Sequence, residues 1–129
     1  MKLIFILCLF IAICLGCSKL NDSEKPIINI LSPKTNDTIP ANSMEVNLQF
    51  TATDNTGLAS VRLGIKDANG ENYFTDSKEI QGKKYSYKNS FVIISHPSKI
   101  KSLIFSIQLT DNNKNESVTN TTFHIAPSK

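Results

Sequence analysis

Hydrophobic and polar residues alternate with a period of two over most of the chain after Ile27. In residues 43–53, every second side chain is apolar, namely Met44, Val46, Leu48, Phe50 and Ala52. Residues 58–67 and 101–110 repeat the alternation, and successive side chains of a strand point to opposite faces of a sheet. No segment after Ile27 carries an apolar stripe at helical spacing. The pattern therefore predicts an all-β domain.

Short segments rich in Asp, Asn and Gly separate these runs. Examples are residues 54–57 and 67–70, which contain Asn and Gly, and because both residue types adopt positive φ cheaply, we expect tight reversals there. The predicted strands are residues 27–32, 43–53, 58–67, 71–80, 85–95, 101–110 and 117–126. The strand at 101–110 contains an additional apolar residue, Ile104, which favours a central position in its sheet. Strands separated by turns every ~8–12 residues are typical of an antiparallel sandwich.

Three segments resemble bacterial immunoglobulin-like domains. Residues 51–63 are similar to the B–C region of those domains, and residues 107–117 resemble their F–G hairpin, with Lys114-Asn115 where Gly-Asn is common. Residues 24–33 resemble the start of such domains in short Bacteroidota-type lipoproteins of unassigned function. The resemblance implies a seven-stranded immunoglobulin/fibronectin-III-like antiparallel β-sandwich over residues 26–127.

The first sixteen residues have the form of an export signal. Lys2 supplies a positive start, residues 3–15 are continuously apolar, and the small Gly16 precedes Cys17. A positive start, an apolar run of ~7–15 residues and a small residue at the cleavage site mark a secretory signal. Because a membrane-crossing helix needs about 20 apolar residues, this run is too short to span a bilayer.

In detail, this segment resembles a bacterial lipoprotein signal, whose lipobox ends in Gly or Ala followed by the cysteine that is acylated. One position departs from the lipobox, because Cys14 stands where Leu is usual. The resemblance implies a signal peptide at residues 1–16, a lipidated tether at residues 17–25 and acyl chains such as palmitate on Cys17. Two acyl chains anchor a protein stably where one does not. The alternative is an ordinary secretory signal that is cut elsewhere and leaves Cys17 as a free thiol.

The location and partner follow from the anchor. We expect the protein in the bacterial cell envelope, on the outer membrane, with the lipid bilayer as its partner through acylated Cys17. Cys8 and Cys14 lie within the signal, so the exported chain keeps a single cysteine and cannot form an intramolecular disulfide. The formal net charge of the sequence is only +3. Nucleic-acid binding requires a clustered basic face, so we predict no nucleic-acid partner.

Residues that could carry catalysis are scarce. The two histidines, His96 and His124, have no recognisable base partner or orienting acid in the sequence, and the common catalytic and nucleotide-binding motifs are absent. We therefore predict that the protein is not an enzyme, with no catalytic residue and no cofactor.

Acidic residues in two predicted loops raise the question of a metal. Asp54, Asp111 and Glu116 fall in the B–C and F–G loops, which gather at one end of such a sandwich and could hold Ca²⁺, as in calcium-dependent β-sandwich adhesins. Calcium needs about six to eight oxygen ligands. Since Asp and Asn commonly stabilise turns by bonding their own backbone, we interpret these residues as turn residues and predict no metal site.

Two features of the sequence are related to glycans. Tyr73, Phe74, Tyr85 and Tyr87 could form an aromatic platform for sugars, although such rings are more often buried. The triplet Asp37-Thr38-Ile39, in a polar loop between the first two predicted strands, resembles the O-glycosylation motif of exported Bacteroidota proteins and marks Thr38 as a candidate acceptor.

Together these features predict a membrane-anchored, non-catalytic binding or structural module of the cell envelope. A Ca²⁺- or glycan-dependent adhesion or binding domain at the cell surface is the alternative. In an immunoglobulin-like sandwich, the chain enters at the pole that carries the B–C and F–G loops, so we expect that pole to face the bilayer. The loops at 33–42, 67–70 and 96–101 would then point outward.

Overall fold

The computed structural model describes residues 22–43, 45–94 and 97–128. The predicted signal peptide, Cys17 and His96 lie outside these residues. The strands are β1 (Ile27–Ser32), β2 (Thr38–Ile39), β3 (Glu45–Thr53), β4 (Leu58–Asp67), β5 (Asn72–Glu79), β6 (Lys84–Val92), β7 (Lys101–Asp111) and β8 (Glu116–Ile125). The described part of the chain contains no helix with the length and apolar character needed to cross a membrane.

The strands form two sheets that pack as a sandwich. One sheet has the order β1-β3-β6 and the other β2-β8-β7-β4-β5. The long strands pair antiparallel, and only the short β2 runs parallel to its neighbour β8. The predicted immunoglobulin/fibronectin-III-like sandwich is therefore confirmed, and β7 lies in the middle of the larger sheet, as its additional apolar residue indicated.

All seven predicted strands are present, with ends that shift by at most three residues. The sequence pattern missed β2, in which Thr38 pairs with His124 and Ile39 with Ile125. The expectation that Thr38 lies in a loop was therefore wrong, because the chain returns to the edge of β8 at this point. Residues 67–70 close the β4–β5 hairpin as expected, whereas residues 54–57 carry the chain from one sheet to the other.

The core lies between the sheets and is built from alternate residues of the long strands. Its fully buried side chains include Leu48, Phe50, Leu63, Ile65, Leu103, Phe105, Ile107, Leu109 and Phe123. Full burial of one such side chain contributes about 1.5–3 kcal/mol relative to exposure. Phe50 of β3 stacks on Tyr87 of β6, with 5.4 Å between the ring centroids. This apolar layer stabilises the domain without any disulfide among the described residues.

The two ends of the sandwich carry different loops. We call the end formed by residues 22–26, 54–57, 80–83 and 112–115 the entry pole, because β1 begins there with Ile27 paired to Thr53. The chain therefore enters where the immunoglobulin-like topology predicts. We call the opposite end, with residues 33–42, 67–71 and the described part of 93–100, the far pole.

Candidate metal centre at the entry pole

Asp54 begins the loop that connects β3 to β4. Its Oδ1 atom accepts hydrogen bonds from the backbone N–H groups of Thr56 (3.0 Å) and Gly57 (2.6 Å) and from the Thr56 hydroxyl (3.0 Å). This is the turn-stabilising role expected from the sequence. The Oδ2 atom is different, because it is buried and accepts no hydrogen bond, although Asp54 is only 9% exposed. An unpaired buried acceptor costs about 1–3 kcal/mol, so this oxygen requires an explanation.

Asp111 ends β7 and organises the turn to β8. It is 1% exposed, and its Oδ1 accepts the backbone N–H groups of Asn113 (2.8 Å) and Asn115 (2.7 Å). Its Oδ2 accepts the side-chain amide of Asn115 at 2.7 Å. Lys114 completes the turn with a φ of +69°, the left-handed conformation that Gly adopts more easily than Lys. The turn thus keeps its shape with a less suitable residue.

The two loops are tied directly to each other. The backbone N–H of Asn112 donates to the carbonyl of Gly57 at 2.9 Å. Gly57 has a φ of +146°, which strains any residue with a Cβ, and a Cβ at this position would also lie 2.6 Å from Nδ2 of Asn112 and displace that side chain. Asp54 also donates its backbone N–H to the carbonyl of Lys83 at 2.9 Å. These bonds hold Asp54 and Asp111 in fixed relative positions.

Asp22 joins this pole from the segment before β1. Its carboxylate accepts hydrogen bonds from the side-chain amide of Asn55 (2.9 Å), the hydroxyl of Thr56 (2.8 Å) and the backbone N–H of Glu24 (3.1 Å). Its carbonyl accepts the side-chain amide of Asn115 at 3.1 Å. The hydrogen bond from Asn55, followed by that from Thr56, lowers the pKa of Asp22 to about 2. Asp22 is therefore ionised at neutral pH.

One carboxylate oxygen each of Asp22, Asp54 and Asp111 lies within 4.8 Å of the other two. Among the described residues, none of these carboxylates has a Lys or Arg within ion-pair distance. The sequence placed Asp54 and Asp111 at one pole correctly. It grouped Glu116 with them, but the carboxylate of Glu116 instead accepts the side-chain amide of Gln108 at 3.3 Å and is not part of the group.

Asp22 was missed because it lies far from the other two in the sequence and was assigned to the tether. The expected topology could have indicated Asp22, because the chain enters the sandwich at the pole that carries the loops of Asp54 and Asp111.

Two acidic groups at the far pole form ion pairs with a neighbouring lysine. Lys101 Nζ lies 3.4 Å from Asp67 Oδ2 and 3.8 Å from Glu71 Oε2, and it contacts the hydroxyl of Tyr73. Burial acts to raise the pKa of Asp67, but hydrogen bonds from the N–H groups of Glu71 and Asn69 and from Lys101 outweigh it, so the pKa is below its usual 3.8. This cluster has its own cation and resembles no metal site.

The aromatic residues that the sequence suggested for sugar binding do not form an open platform. Tyr87 is 4% exposed, and its hydroxyl donates to Asp76 at 3.2 Å. Tyr73, Phe74 and Tyr85 are half-buried and pack against the core. Lys78 Nζ lies 5.3 Å from the centroid of the Tyr87 ring and covers this side of the sandwich. These rings therefore close the open side between β5 and β6.

The described histidine, His124, lies on β8, where its neighbours Phe123 and Ile125 point into the core and it points away. Its Nδ1 atom is 3.0 Å from the hydroxyl of Ser102 on β7, the residue directly opposite in the register. Among the described residues, no carboxylate hydrogen-bonds to this ring, so the pair lacks the orienting acid of a catalytic triad. Thr38 is exposed on β2.

Neither a family model nor a curated protein matches the chain. Several solved structures align with most of the chain. The periplasmic chaperone SfaE aligns over 80% of this chain and 58% of its own, with a TM-score of 0.60 and 14% sequence identity. The E. coli chaperone DraB aligns over 81% of this chain and 56% of its own, with a TM-score of 0.50 and 8% identity. CopC from Methylosinus trichosporium OB3b aligns over 80% of this chain and 97% of its own, with a TM-score of 0.48 and 14% identity.

The chain spans little more than half the length of the two chaperones. At these identities the likeness concerns the fold alone. The protein is, at that level, an immunoglobulin-like β-sandwich with a carboxylate cluster at the pole where its chain enters.

Proposed function

We propose that the protein is a lipid-anchored module of the bacterial cell envelope, in which one immunoglobulin-like sandwich acts as a non-catalytic binding or structural unit. The sequence that ends in Gly16-Cys17 carries the anchor, and the orientation of the domain follows from Asp22. It lies five residues after Cys17 and is hydrogen-bonded to Asn55 and Thr56 at the entry pole. A cysteine acylated at position 17 would therefore keep this pole close to the bilayer.

The same arrangement directs the far pole away from the membrane. Residues 67–71 and the described loop residues after β6 would then meet a soluble partner first. A groove of about 470 Å³ at this end is lined by apolar residues such as Phe91 and Ile93, with Tyr73 and Lys101 at its side. Exposed loops carried by a rigid sheet framework are where binding residues are usually found.

A cation-dependent binding domain is the second candidate function. The three carboxylates at the entry pole favour it, whereas the burial of Tyr85 and Tyr87 against the core speaks against the glycan-dependent form. The proposed O-glycan on Thr38 remains compatible with the exposure of this residue on β2.

Mass spectrometry of the intact protein from its native host tests the anchor. We expect a chain that begins at Cys17 and carries acyl chains, recovered in the membrane fraction. The Cys17→Ser variant should lose the acyl mass and leave the membrane. An uncleaved leader, or a bare Cys17 in the native protein, would overturn the proposal.

Surface labelling of intact cells tests the orientation separately. Asn69→Cys introduces a thiol at the far pole and Asn113→Cys one at the entry pole, in a chain whose own Cys17 would be blocked by acylation. A membrane-impermeant maleimide should label residue 69 faster than residue 113. Faster labelling of residue 113 would reverse the orientation, and equal labelling after cell lysis provides the control for intrinsic reactivity.

A further inference from the structure

We propose that Asp22, Asp54 and Asp111 form a Ca²⁺ site that fastens the segment before β1 to the sandwich. Three anionic side chains from three separate segments converge to within 4.8 Å without a described basic residue between them. Asp54 provides an independent observation. The residue is only 9% exposed, and its buried Oδ2 atom has no hydrogen-bond partner. A bound cation would satisfy that oxygen and offset the repulsion between the carboxylates.

The orientation of Asp54 supports this role. Its Oδ1 atom faces the N–H groups of its own turn, which leaves Oδ2 as the oxygen available to the cluster. The carboxylates of Asp22 and Asp111 already accept hydrogen bonds, but each ionised carboxylate has about four lone-pair sites and can bind a cation as well. The hydrogen bonds thus hold the two groups in position.

The spacing of the oxygens fits a calcium ion. Calcium binds oxygen at about 2.3–2.6 Å, so oxygens on opposite sides of one ion lie up to roughly 5 Å apart. The upper bound of 4.8 Å between the three atoms falls inside this range. Magnesium requires a near-ideal octahedron at about 2.0–2.1 Å and gives up its water reluctantly, so a site with three carboxylates fixed by separate loops suits the more adaptable calcium ion better.

The three aspartates supply the charged part of the ligand set. Calcium takes about six to eight oxygens, so neighbouring amide or backbone oxygens and water would complete the shell. Asn55 and Asn115 direct their NH2 groups at Asp22 and Asp111, so the neutral oxygens would come from backbone carbonyls, water or side-chain amides that turn over when the ion binds. Three carboxylates and neutral oxygens resemble the hard-ligand sites of extracellular calcium modules, for which dissociation constants of about 10⁻⁴–10⁻³ M are usual.

The expected consequence is a stiffer connection between the tether and the domain. Asp54 and Asp111 belong to loops fixed by the sheets, whereas Asp22 lies before the first strand. An ion shared by all three would add a strong link to the hydrogen bonds that Asp22 makes with Asn55 and Thr56. The metal site itself does not depend on the proposed lipid anchor, since all three ligands lie after Cys17.

Calcium titration of the full-length protein in a non-ionic detergent provides the first test. After dialysis against EDTA, calorimetry should show saturable binding of one Ca²⁺ per chain with a dissociation constant of about 10⁻⁴–10⁻³ M or tighter. At a Ca²⁺ concentration about 100 times the dissociation constant, the melting temperature should rise by roughly 5 °C or more. Mg²⁺ at the same concentrations should have a weaker effect. Absence of saturable Ca²⁺ binding would overturn the proposal.

The Asp54→Asn variant separates metal binding from turn stabilisation. Asparagine keeps an Oδ1 acceptor for the N–H groups of Thr56 and Gly57, and its amide can donate to a neighbouring carboxylate. We therefore expect the metal-free variant to melt at or above the wild-type temperature, while its Ca²⁺ affinity falls at least tenfold. Unchanged Ca²⁺ affinity in a folded Asp54→Asn protein would contradict the assigned site.

Asp67→Asn is the matched control. Asp67 makes the same kind of turn, with Oδ1 accepting the N–H groups of Asn69 and Glu71, but it lies at the far pole beside Lys101. The same chemical change there should leave Ca²⁺ affinity unchanged. An equal loss of affinity in both variants would indicate a general effect of surface charge and would overturn the site.

Hydrogen exchange measures the link to the tether. Addition of Ca²⁺ should slow amide exchange in residues 22–26, 54–57 and 111–115 together, and leave residues 67–71 unchanged. Protection of the two loops without residues 22–26 would remove Asp22 from the site. The Cys17→Ser variant should show the same Ca²⁺ response as the wild type, so a failed lipid anchor and a failed metal site give different results.

Discussion

Lys114 occupies a backbone conformation that its residue type disfavours. Its φ of +69° lies in the left-handed region, where a side chain with a Cβ costs about 1–2 kcal/mol relative to Gly. The turn accepts this cost because Asp111 bonds the N–H groups of Asn113 and Asn115 on either side of it. The hydrogen bonds of the buried Asp111 carboxylate thus outweigh the preference of Lys114 for a negative φ.

Lys114→Gly should therefore stabilise the domain by about 0.5–1 kcal/mol, because relief of the left-handed strain exceeds the extra freedom of Gly in the unfolded chain. Urea denaturation followed by circular dichroism measures the change. Lys83→Gly is the control, since Lys83 is also an exposed loop lysine but is not among the residues with positive φ. It should destabilise by a similar amount, and stabilisation by both substitutions would disprove the argument.

The lowered pKa of Asp67 predicts how the stability of the domain changes at acidic pH. Although burial opposes ionisation, the hydrogen bonds from Glu71, Asn69 and Lys101 hold its folded-state pKa below the ordinary 3.8. A lowered pKa contributes stability that is fully present above the unfolded-state pKa and is lost as the pH falls through the folded-state pKa. The stability that Asp67 contributes should therefore be lost at pH values below about 4.

In Asp67→Asn, the melting temperature should fall less steeply below about pH 4 than in the wild type. Lys101→Met should flatten the curve only in part, because the backbone N–H groups still bond to Asp67. Thermal melts across this pH range, monitored by circular dichroism, give the slopes. A slope identical to the wild type in Asp67→Asn would show that this group does not contribute.

At the level of strands, the alternation of apolar and polar residues was sufficient to predict each strand that is long and has one face in the core. β3, β4 and β7 bury every second residue, so their period is visible in the sequence. β2 was not visible because two residues carry no period, and its position depends on pairing with β8, which is distant in the chain. The same reason explains the missed Asp22, whose partners come from loops that only the folded sandwich brings together.

The two faces of β7 give a direct test of this alternation. Ile107 is fully buried between the sheets, whereas Ile104, three residues earlier in the same strand, is half-buried on the other face. Ile107→Val should cost about 0.5–1.5 kcal/mol in unfolding free energy, and Ile104→Val should cost clearly less. Guanidinium denaturation of both variants makes the comparison within one strand. Equal costs would mean that the sheet does not bury one face preferentially.

For the whole molecule, the two poles differ in how their acidic groups are balanced. At the far pole, Lys101 forms ion pairs with Asp67 and Glu71 within the domain. At the entry pole, Asp22, Asp54 and Asp111 have no basic partner among the described residues, and the proposed Ca²⁺ would supply the balancing charge. This asymmetry places the proposed cation at the end that the anchor would hold near the bilayer, where anionic lipids also concentrate cations.

The distance between the poles makes the orientation measurable in a reconstituted membrane. β8 has 10 residues, so at ~3.4 Å per residue the poles are separated by roughly 30 Å. Between Cys17 and Asp22 lie residues 18–21, which extend at most ~14 Å. A fluorophore on Asn113→Cys should therefore transfer energy to acceptor lipids much more efficiently than one on Asn69→Cys, in vesicles that contain the acylated protein. Equal transfer from both positions would mean that the domain lies along the membrane or tumbles freely, and the tether would then not define an outward pole.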